Sequence, residues 1–224
     1  MCGRFTMVSF QEMLDVASAI EAEAKSQQLE LPLACEDSMS SVEAPPGEES
    51  LFPELEPLER DAFPGSIVPV AAVTSRGVQV TNLVWGYRVP WQKGLVFNAR
   101  VETALSSGRN MWAESLQRRR CLVAGRAFYE PAAHETVISP RTGKPVKRQY
   151  RFTLPGEDLL LFAAVFEGDC FSIMTCEPNR WVAPIHPRMP LVLAPHEAPL
   201  WLSSRYCDVL DRSGVCLSSR LASV

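Results

Sequence analysis

One stretch near the start of the chain has hydrophobic residues at helical intervals. In "SFQEMLDVASAIEAEAKSQ" the recurring apolar residues are Phe10, Met13, Leu14, Ala17 and Ile20. Apolar positions three and four residues apart predict a helix with one buried face. Ser9 and Glu12 have the spacing of a capping box, whose side chains satisfy backbone N–H groups at a helix start. The pattern therefore predicts a helix over residues 9–27.

From residue 65 onward the pattern changes to short apolar or alternating runs, which are typical of strands. These runs are "SIVPVAAV", "GVQVTNLVWGYRV", "CLVAGRAFYEP", "QYRFTL", "LLLFAAVFEG", "FSIMTC" and "RMPLVLAP". Short helices are predicted for "NMWAESLQRRR" and "PHEAPLWL", and a polar hairpin loop for "AAHETVISPRTGKPVKR". The expected fold class is α+β, with a largely antiparallel, twisted sheet that approaches a barrel and is flanked by helices.

The segment over residues 34–61 is rich in proline, glutamate and serine, with nine acidic residues and one basic residue. This composition predicts a solvated loop inserted into a single domain that spans residues 1–224. The whole chain has a net charge of −4, but the rest of it holds 21 basic and 17 acidic residues. The overall negative charge therefore does not exclude a nucleic-acid ligand.

Hydrophobic residues form 46% of the chain and charged residues 21%, which permits a sizeable core. No apolar run reaches the roughly 18 residues that a membrane-spanning helix needs, and the start does not resemble a signal peptide. The seven cysteines form no Cys-x-x-Cys pair. We therefore expect reduced thiols, no metal, no cofactor and a monomer in the cytoplasm, associated with the nucleoid if the source is bacterial.

The opening "MCGRF" places a cysteine at the second position. An initiator methionine is generally removed before a residue as small as cysteine, which would leave Cys2 with a thiol and a free α-amine on adjacent carbons. The α-amine has a reference pKa of about 7.7–8.0 and the thiol one of about 8.5, so both can act as nucleophiles near neutral pH. From these five residues alone, a cysteine in an irregular chain start is an equally good interpretation.

Three further stretches place polar residues among apolar ones. Glu130 follows "CLVAGRAFY", His186 stands between two prolines, and Asn98 lies in "FNARVET". Each has an ordinary structural explanation, as an ion-paired glutamate, a packed histidine or a turn cap. Arginine is the preferred donor to phosphate oxygens, and the nearby arginines are Arg4, Arg100 and Arg188. Together these groups would suit covalent capture of an electrophile beside phosphates.

The motifs "MCGRF", "WGY", "NARVET", "FYE" and "HPRMPLVL" occur in the order and approximate spacing of the SRAP family, which processes abasic sites in DNA. The chain resembles this family from Cys2 to Leu202, apart from the acidic insertion. The resemblance implies that the protein binds single-stranded DNA and reacts with the ring-opened abasic sugar. The α-amine of Cys2 would form an imine with the aldehyde, and its thiolate would close a thiazolidine that shields the lesion.

The same resemblance implies roles for the other candidates. Glu130 matches a catalytic glutamate that moves protons, His186 a histidine that assists ring opening or strand cleavage, and Asn98 an asparagine that orients the first residue and the opened sugar. The implied DNA-binding positions are Arg4, Arg100, Arg188, Trp91 and Thr175. Trp85 falls near the family's tryptophan-containing loop. Its ring could stack on DNA bases or pack in the protein core, and the sequence favours neither.

Two positions depart from the family pattern. Pro131 follows Glu130 where tryptophan is usual, and "DAFP", beginning at Asp61, stands where the family usually has Asn-x-Ala-Pro. An acid in place of an amide near the expected DNA path, together with the acidic insertion, predicts weaker or more selective DNA binding.

Other activities fit the same chain start. An N-terminal-nucleophile amidohydrolase would also begin Met-Cys-Gly, but its glutaminase domains carry an Asn-Gly pair that this sequence lacks. A peptidase that uses Cys2, an activity proposed for the SRAP family and tied to removal of Met1, is a second alternative, and strand-cleaving lyase activity is possible alongside the crosslink. A DNA-binding module without catalysis is a third alternative, and it would never form a covalent adduct.

Overall fold

The computed structural model describes residues 2–33, 41–42, 60–108 and 110–222. The strands in these ranges are β1 (Phe5–Met7), β2 (Arg60–Ala62), β3 (Ile67–Thr74), β4 (Gly77–Trp85), β5 (Asn98–Arg100), β6 (Arg120–Ile138), β7 (Pro145–Thr153), β8 (Leu160–Glu167), β9 (Cys170–Cys176), β10 (Met189–Pro190), β11 (Val192–Leu193) and β12 (Ser218–Leu221). The α-helices are α1 (Phe10–Ser26), α2 (Val101–Ala104), α3 (Ala113–Arg118) and α4 (Ala198–Leu202), with 3₁₀ turns at Pro195–Glu197 and Tyr206–Val209.

Five strands close a ring in the order β8–β9–β4–β3–β6 and back to β8. Their neighbours are antiparallel except β4 and β9, which run parallel and pair at only two positions. This short parallel contact leaves a ring of strands rather than a regular barrel. The predicted fold class, mixed α and β with a largely antiparallel sheet, is confirmed, and the closure is looser than a barrel.

Helix α1 packs on β3 and β4. Its capping box is formed as predicted, because the Ser9 side chain accepts from the backbone of Glu12 and the Glu12 carboxylate accepts from the backbone of Ser9. The buried face of α1 consists of Met13, Ala17, Ile20 and Ala24. Phe10 and Leu14 recur with the same period but are 43% and 38% exposed, so they border this face.

Several predicted element boundaries are wrong. The stretch 132–148 is not a loop, since β6 continues to Ile138 and β7 begins at Pro145. The two strands of this stretch are joined by backbone hydrogen bonds, and such bonds form even where neither face of the hairpin is buried. "RMPLVLAP" forms two short strands because the chain changes partner at Leu191, from β9 to β8. The helix in "NMWAESLQRRR" is limited to Ala113–Arg118, and Arg120 already belongs to β6.

Strand β1 carries the start of the chain into the sheet between β2 and β6. The Phe5 ring packs against Trp85 and Phe162, with centroid distances of 5.0 and 5.2 Å. Gly125 lies where the β1–β6 register shifts, and a Cβ there would lie only 2.9 Å from the carbonyl oxygen of Thr6. A glycine at this position therefore lets the two strands approach closely, which fixes the residues just before β1.

Most of the predicted acidic loop, residues 34–40 and 43–59, lies outside the described residues. The predicted boundary at residue 61 is too late, because Arg60 and Asp61 belong to β2 and pair with β1. None of the helices that the structure describes is long and apolar enough to cross a membrane.

Candidate active site

Cys2 is fully buried at the entrance to β1. The Asn98 side chain, at the start of β5, donates from Nδ2 to the Cys2 carbonyl over 2.9 Å. The Cys2 thiol lies 3.7 Å from the carbonyl of Arg4. The second residue of the chain is thus held on both its carbonyl and its sulfur, so it is part of the ordered structure and not a frayed terminus.

The Cys2 thiol is protonated in this environment. Burial raises its pKa well above the usual range of a thiol, and the nearby carboxylate of Glu130 raises it further. Peptide groups of Arg4 and Tyr129 act in the opposite direction but do not offset the burial. The sulfur becomes a good nucleophile only when a positive charge or a base comes close to it.

Glu130 lies in β6, and its side chain is fully buried. Removal of the carboxylate from water raises its pKa from 4.5 to about 7. A carboxyl group with this pKa is protonated in part of the molecules at neutral pH, so it can both donate and accept a proton. The burial of Glu130 depends on packing between distant segments, so the local sequence left an ion-paired glutamate open as an alternative.

His186 lies beside Glu130, with Nδ1 at 3.4 Å from the carboxylate Oε2. The same Nδ1 is 2.8 Å from the carbonyl of Arg188. In the neutral ring Nδ1 can donate to this carbonyl or accept from the backbone N–H of Arg188, which lies 3.3 Å away, and these two contacts correspond to different tautomers. Burial lowers the pKa of His186, which favours that neutral form.

Arg188 is fixed by a two-point contact with Glu102, at 2.8 and 3.0 Å. Its guanidinium also donates to the Thr175 carbonyl at 2.9 Å. The Thr175 side chain is fully buried, and its hydroxyl lies 3.4 Å from the carbonyl of Ala99. A direct contact of Thr175 with DNA would require that this hydroxyl be uncovered; in this structure the residue supports Arg188 instead.

Arg4 and Asp61 form an ion pair that sequence reasoning did not anticipate. The Asp61 carboxylate accepts from Nε and from a terminal nitrogen of Arg4 at 2.7 and 2.6 Å, and from the hydroxyl of Thr6 at 2.8 Å. The Arg4 guanidinium also stacks 4.0 Å above the ring centroid of Tyr129. The acid that replaces the usual amide therefore offsets the charge of an arginine predicted to bind DNA.

The tryptophans and Arg100 occupy different environments. Trp85 is fully buried, and its indole N–H donates to the Phe97 carbonyl at 2.9 Å. It is therefore a core residue and does not face a base in this structure. Trp91 lies between β4 and β5 and is 69% exposed, and Arg100 is exposed at the end of β5. Cys2, Asn98, Glu130 and His186 thus share one site, whereas Trp91 and Arg100 lie on the surface.

Three residues contact the predicted arginines and were not assigned such a role from the sequence: Glu102 binds Arg188, and Asp61 and Tyr129 contact Arg4. The spacing of Glu102 two residues after Arg100 in "NARVET" is the only sequence signal for it. No group of three or more His, Cys, Asp or Glu side chains among the described residues is arranged to hold a metal ion.

The structure is a ring of strands that holds the buried Cys2 and Glu130 beside His186 at one site. The sequence profile described as "SOS response associated peptidase (SRAP)" matches residues 1–216. The chain therefore belongs to the SRAP family.

Relatives of known designation agree with this assignment. The chain is 29% identical over 142 residues to the abasic site processing protein YoqW of Bacillus subtilis, a match that covers 57% of this chain and 58% of the relative. The abasic site processing protein YedK of Escherichia coli is 25% identical over 209 residues, which covers 90% of this chain and 79% of that protein. The match thus spans less than two thirds of the length of the Bacillus relative.

Solved structures share the fold. A protein from Bordetella bronchiseptica superposes with a TM-score of 0.62 over 100% of both chains at 16% identity. A protein from Bacteroides thetaiotaomicron superposes with a TM-score of 0.58 at 19% identity, over 99% of this chain and 92% of that one.

Proposed function

We propose that this protein processes abasic sites in single-stranded DNA by a covalent bond from Cys2 to the ring-opened sugar. The observation that carries the proposal is the position of Cys2, buried and held by Asn98, beside a glutamate whose pKa is about 7. The designations of the Bacillus and Escherichia relatives as abasic site processing proteins support the same substrate. The proposal requires that Met1 be removed, because until then the nitrogen of Cys2 is part of a peptide bond.

The reaction uses one aldehyde, one amine and one thiol and releases one water. The free α-amine of Cys2 adds to the sugar aldehyde, and loss of water gives a protonated imine. The thiolate then adds to the same carbon and supplies the electron pair of the new C–S bond, while the C=N pair moves onto nitrogen. The product is a five-membered thiazolidine, and no oxidant or reductant is needed.

The electrostatics of the site support this order of steps. The thiol of Cys2 is protonated because burial and Glu130 raise its pKa. Formation of a cationic imine next to the sulfur supplies the positive charge that a thiolate requires. Glu130 can receive the thiol proton, since its own pKa of about 7 allows both protonation states at neutral pH. The nucleophile is therefore released only after the substrate is already bound covalently through nitrogen.

Asn98 and His186 have supporting roles in the proposal. The Asn98 Oδ1 atom is buried and accepts no hydrogen bond from the described part of the chain. It is thus available to a hydroxyl of the opened sugar or to the freed amine, while Nδ2 holds the Cys2 carbonyl. The neutral His186 ring, which burial favours, can take a proton from the sugar during ring opening.

The direct test is incubation of the purified protein with a single-stranded oligonucleotide that contains one abasic site. We expect an adduct that survives denaturing electrophoresis, with an intact mass equal to protein without Met1 plus DNA less one water. Cys2→Ser should abolish the stable adduct, because an oxygen cannot replace the thiolate efficiently in ring closure. The matched control is Cys207→Ser, which removes an exposed cysteine and should leave adduct formation unchanged.

Two results would contradict the assignment of Cys2 as the reacting residue. One is an adduct whose mass includes Met1 or maps to a residue other than Cys2. The other is equal adduct formation by Cys2→Ser and Cys207→Ser. If DNA binding is retained but no adduct forms with the wild-type protein, the chain is a DNA-binding module.

A peptidase activity is a second candidate because the matching family profile carries that word in its description. Cleavage of the Met1–Cys2 bond by the protein itself would be its simplest form. Fresh material from a Glu130→Gln variant, analysed by intact mass, tests this: retention of Met1 only in the variant supports self-cleavage, and complete removal in both contradicts it.

A further inference from the structure

A buried threonine near the start of the chain belongs to a polar network that no step of the proposed reaction uses. Thr6 lies in β1, and its side chain is fully buried. Its hydroxyl lies 2.8 Å from the Asp61 carboxylate of β2 and 3.1 Å from the Tyr129 hydroxyl of β6. One buried hydroxyl therefore connects three neighbouring strands through side-chain hydrogen bonds.

The carboxylate of Asp61 determines the direction of these hydrogen bonds. Asp61 is ion-paired with Arg4 and can only accept, so the single proton of the Thr6 hydroxyl is donated to Asp61 Oδ1. The Tyr129 O–H must then donate to Thr6 Oγ1. The network therefore runs from Tyr129 through Thr6 to Asp61, whose Oδ2 accepts from Arg4 Nε at 2.7 Å.

An acid at position 61 suits this network because both of its oxygens are used. Oδ1 accepts from Thr6 and Oδ2 accepts from Arg4. An asparagine has only one accepting oxygen, and its nitrogen could not accept from a guanidinium. The departure of Asp61 from the usual family pattern thus joins Thr6 to Arg4 through one side chain.

The network reaches Cys2 through the backbone of Arg4. The Arg4 carbonyl accepts from the backbone N–H of Tyr129 at 3.0 Å, and the Arg4 guanidinium lies 4.0 Å from the centroid of the Tyr129 ring. The same carbonyl lies 3.7 Å from the sulfur of Cys2. A shift of the Arg4 backbone would therefore also move the group that the sulfur contacts.

The network and Glu130 lie on opposite faces of β6. Thr6 is opposite Ala127, two residues before Tyr129, whereas Glu130 directly follows Tyr129. Adjacent residues of a strand point to opposite faces, so the network does not meet the reacting atoms itself. Any effect on the reaction must pass through the backbone, which is the arrangement of positioning residues.

We propose that Thr6, Tyr129 and Asp61 are positioning residues that place the Cys2 sulfur for closure of the thiazolidine ring. In that step the thiolate supplies the electron pair of the new C–S bond and the C=N pair moves onto nitrogen, so the inference rests on the proposed function. Reacting atoms must lie about 3–3.5 Å apart, and a displacement of about 1 Å can slow a reaction about a hundred-fold. Imine formation by the α-amine does not require the sulfur. Loss of the network should therefore slow ring closure and leave imine formation unchanged.

The test compares two initial rates with a single-stranded oligonucleotide that contains one abasic site. Without reductant, denaturing gels detect the closed-ring adduct; with cyanoborohydride present, they also detect the imine, which is reduced to a stable amine. Thr6→Val keeps the shape of the side chain but removes the hydroxyl. We expect its rate without reductant to fall about ten-fold, while its rate with cyanoborohydride stays at the wild-type level. Tyr129→Phe removes only the donor to Thr6 and should change the rates in the same direction.

Two further variants separate positioning from stability. Thr6→Ser retains the hydroxyl but loses a buried methyl group, so it should keep both rates near wild type even if its melting temperature falls. The matched control is Thr136→Val, at an exposed threonine of β6, which should resemble the wild type in both rates. Equal rates without reductant for Thr6→Val and Thr136→Val would overturn the proposal. An equal fall of both rates in Thr6→Val would indicate a general structural role and would also overturn it.

A second measurement decides the inference if the wild type forms no adduct, a result that would contradict the proposed function alone. Alkylation by iodoacetamide is then followed by peptide mass at Cys2 and at Cys121, which is also fully buried. Displacement of the sulfur from the Arg4 carbonyl should expose it, so Thr6→Val should react faster than wild type at Cys2 and at the same rate at Cys121. Unchanged alkylation of Cys2 would overturn the positioning role, and faster alkylation of both cysteines would show general loosening and overturn it too.

Discussion

The burial of Glu130 predicts a strong pH dependence of stability that one substitution should remove. The folded protein has a Glu130 pKa of about 7, against 4.5 for an unperturbed carboxyl. One pKa unit corresponds to about 1.36 kcal/mol, so this difference amounts to roughly 3 kcal/mol.

The direction follows from proton binding in the two states. The folded protein binds the Glu130 proton more tightly than the unfolded chain does. The resulting contribution to the free energy of unfolding is therefore fully present below the unfolded pKa of 4.5 and is lost as pH rises through about 7. The side chain at position 130 in Glu130→Gln is uncharged at every pH, so this variant does not lose stability from its ionisation. The free energy of unfolding of the variant, relative to wild type, should therefore increase by roughly 3 kcal/mol between pH 4 and pH 8.

The assay is guanidinium unfolding of both proteins at pH 4, 5, 6, 7 and 8, analysed as differences so that other titrating groups cancel. Glu157→Gln is the control, because Glu157 is exposed. The intact mass of each sample is recorded, since the Glu130 pKa of about 7 already includes the lowering effect of the N-terminal ammonium, and removal of Met1 transfers that ammonium to Cys2. A variant-minus-wild-type difference that is flat with pH, or that falls as pH rises, would refute the argument from burial.

Three further substitutions test the geometry of the site. Asn98→Ala removes the bond to the Cys2 carbonyl; we expect a loss of about 1–3 kcal/mol in denaturant unfolding and slower adduct formation in a gel time course. Gly125→Ala places a Cβ 2.9 Å from a β1 carbonyl oxygen and should lower stability by about 1–3 kcal/mol, and an unchanged melting temperature would contradict the close approach. Asp61→Asn releases the charge of Arg4; binding of undamaged single-stranded DNA should become tighter at low salt, while stability changes by less than about 1 kcal/mol. Equal or weaker binding by Asp61→Asn would show that this ion pair does not limit DNA affinity.

The local pattern was sufficient for several elements. The spacing of Ser9 and Glu12 predicted the cap of α1, and the apolar runs after residue 65 predicted most strands. These features depend on residues a few positions apart, so the sequence contains them directly. The polar half of the β6–β7 hairpin was missed because its strands are stabilised by backbone pairing and carry no apolar signal.

The candidate residues came from the sequence, but their chemical state came from the fold. Motif order singled out Cys2, Asn98, Glu130 and His186, and an N-terminal cysteine alone implies an amine and a thiol on adjacent carbons. Only tertiary contacts decided that the carboxyl has a pKa of about 7 and that Asp61 pairs with Arg4, 57 positions away. A pKa depends on water and on charges contributed by distant segments, and these are brought together only when the sheet closes.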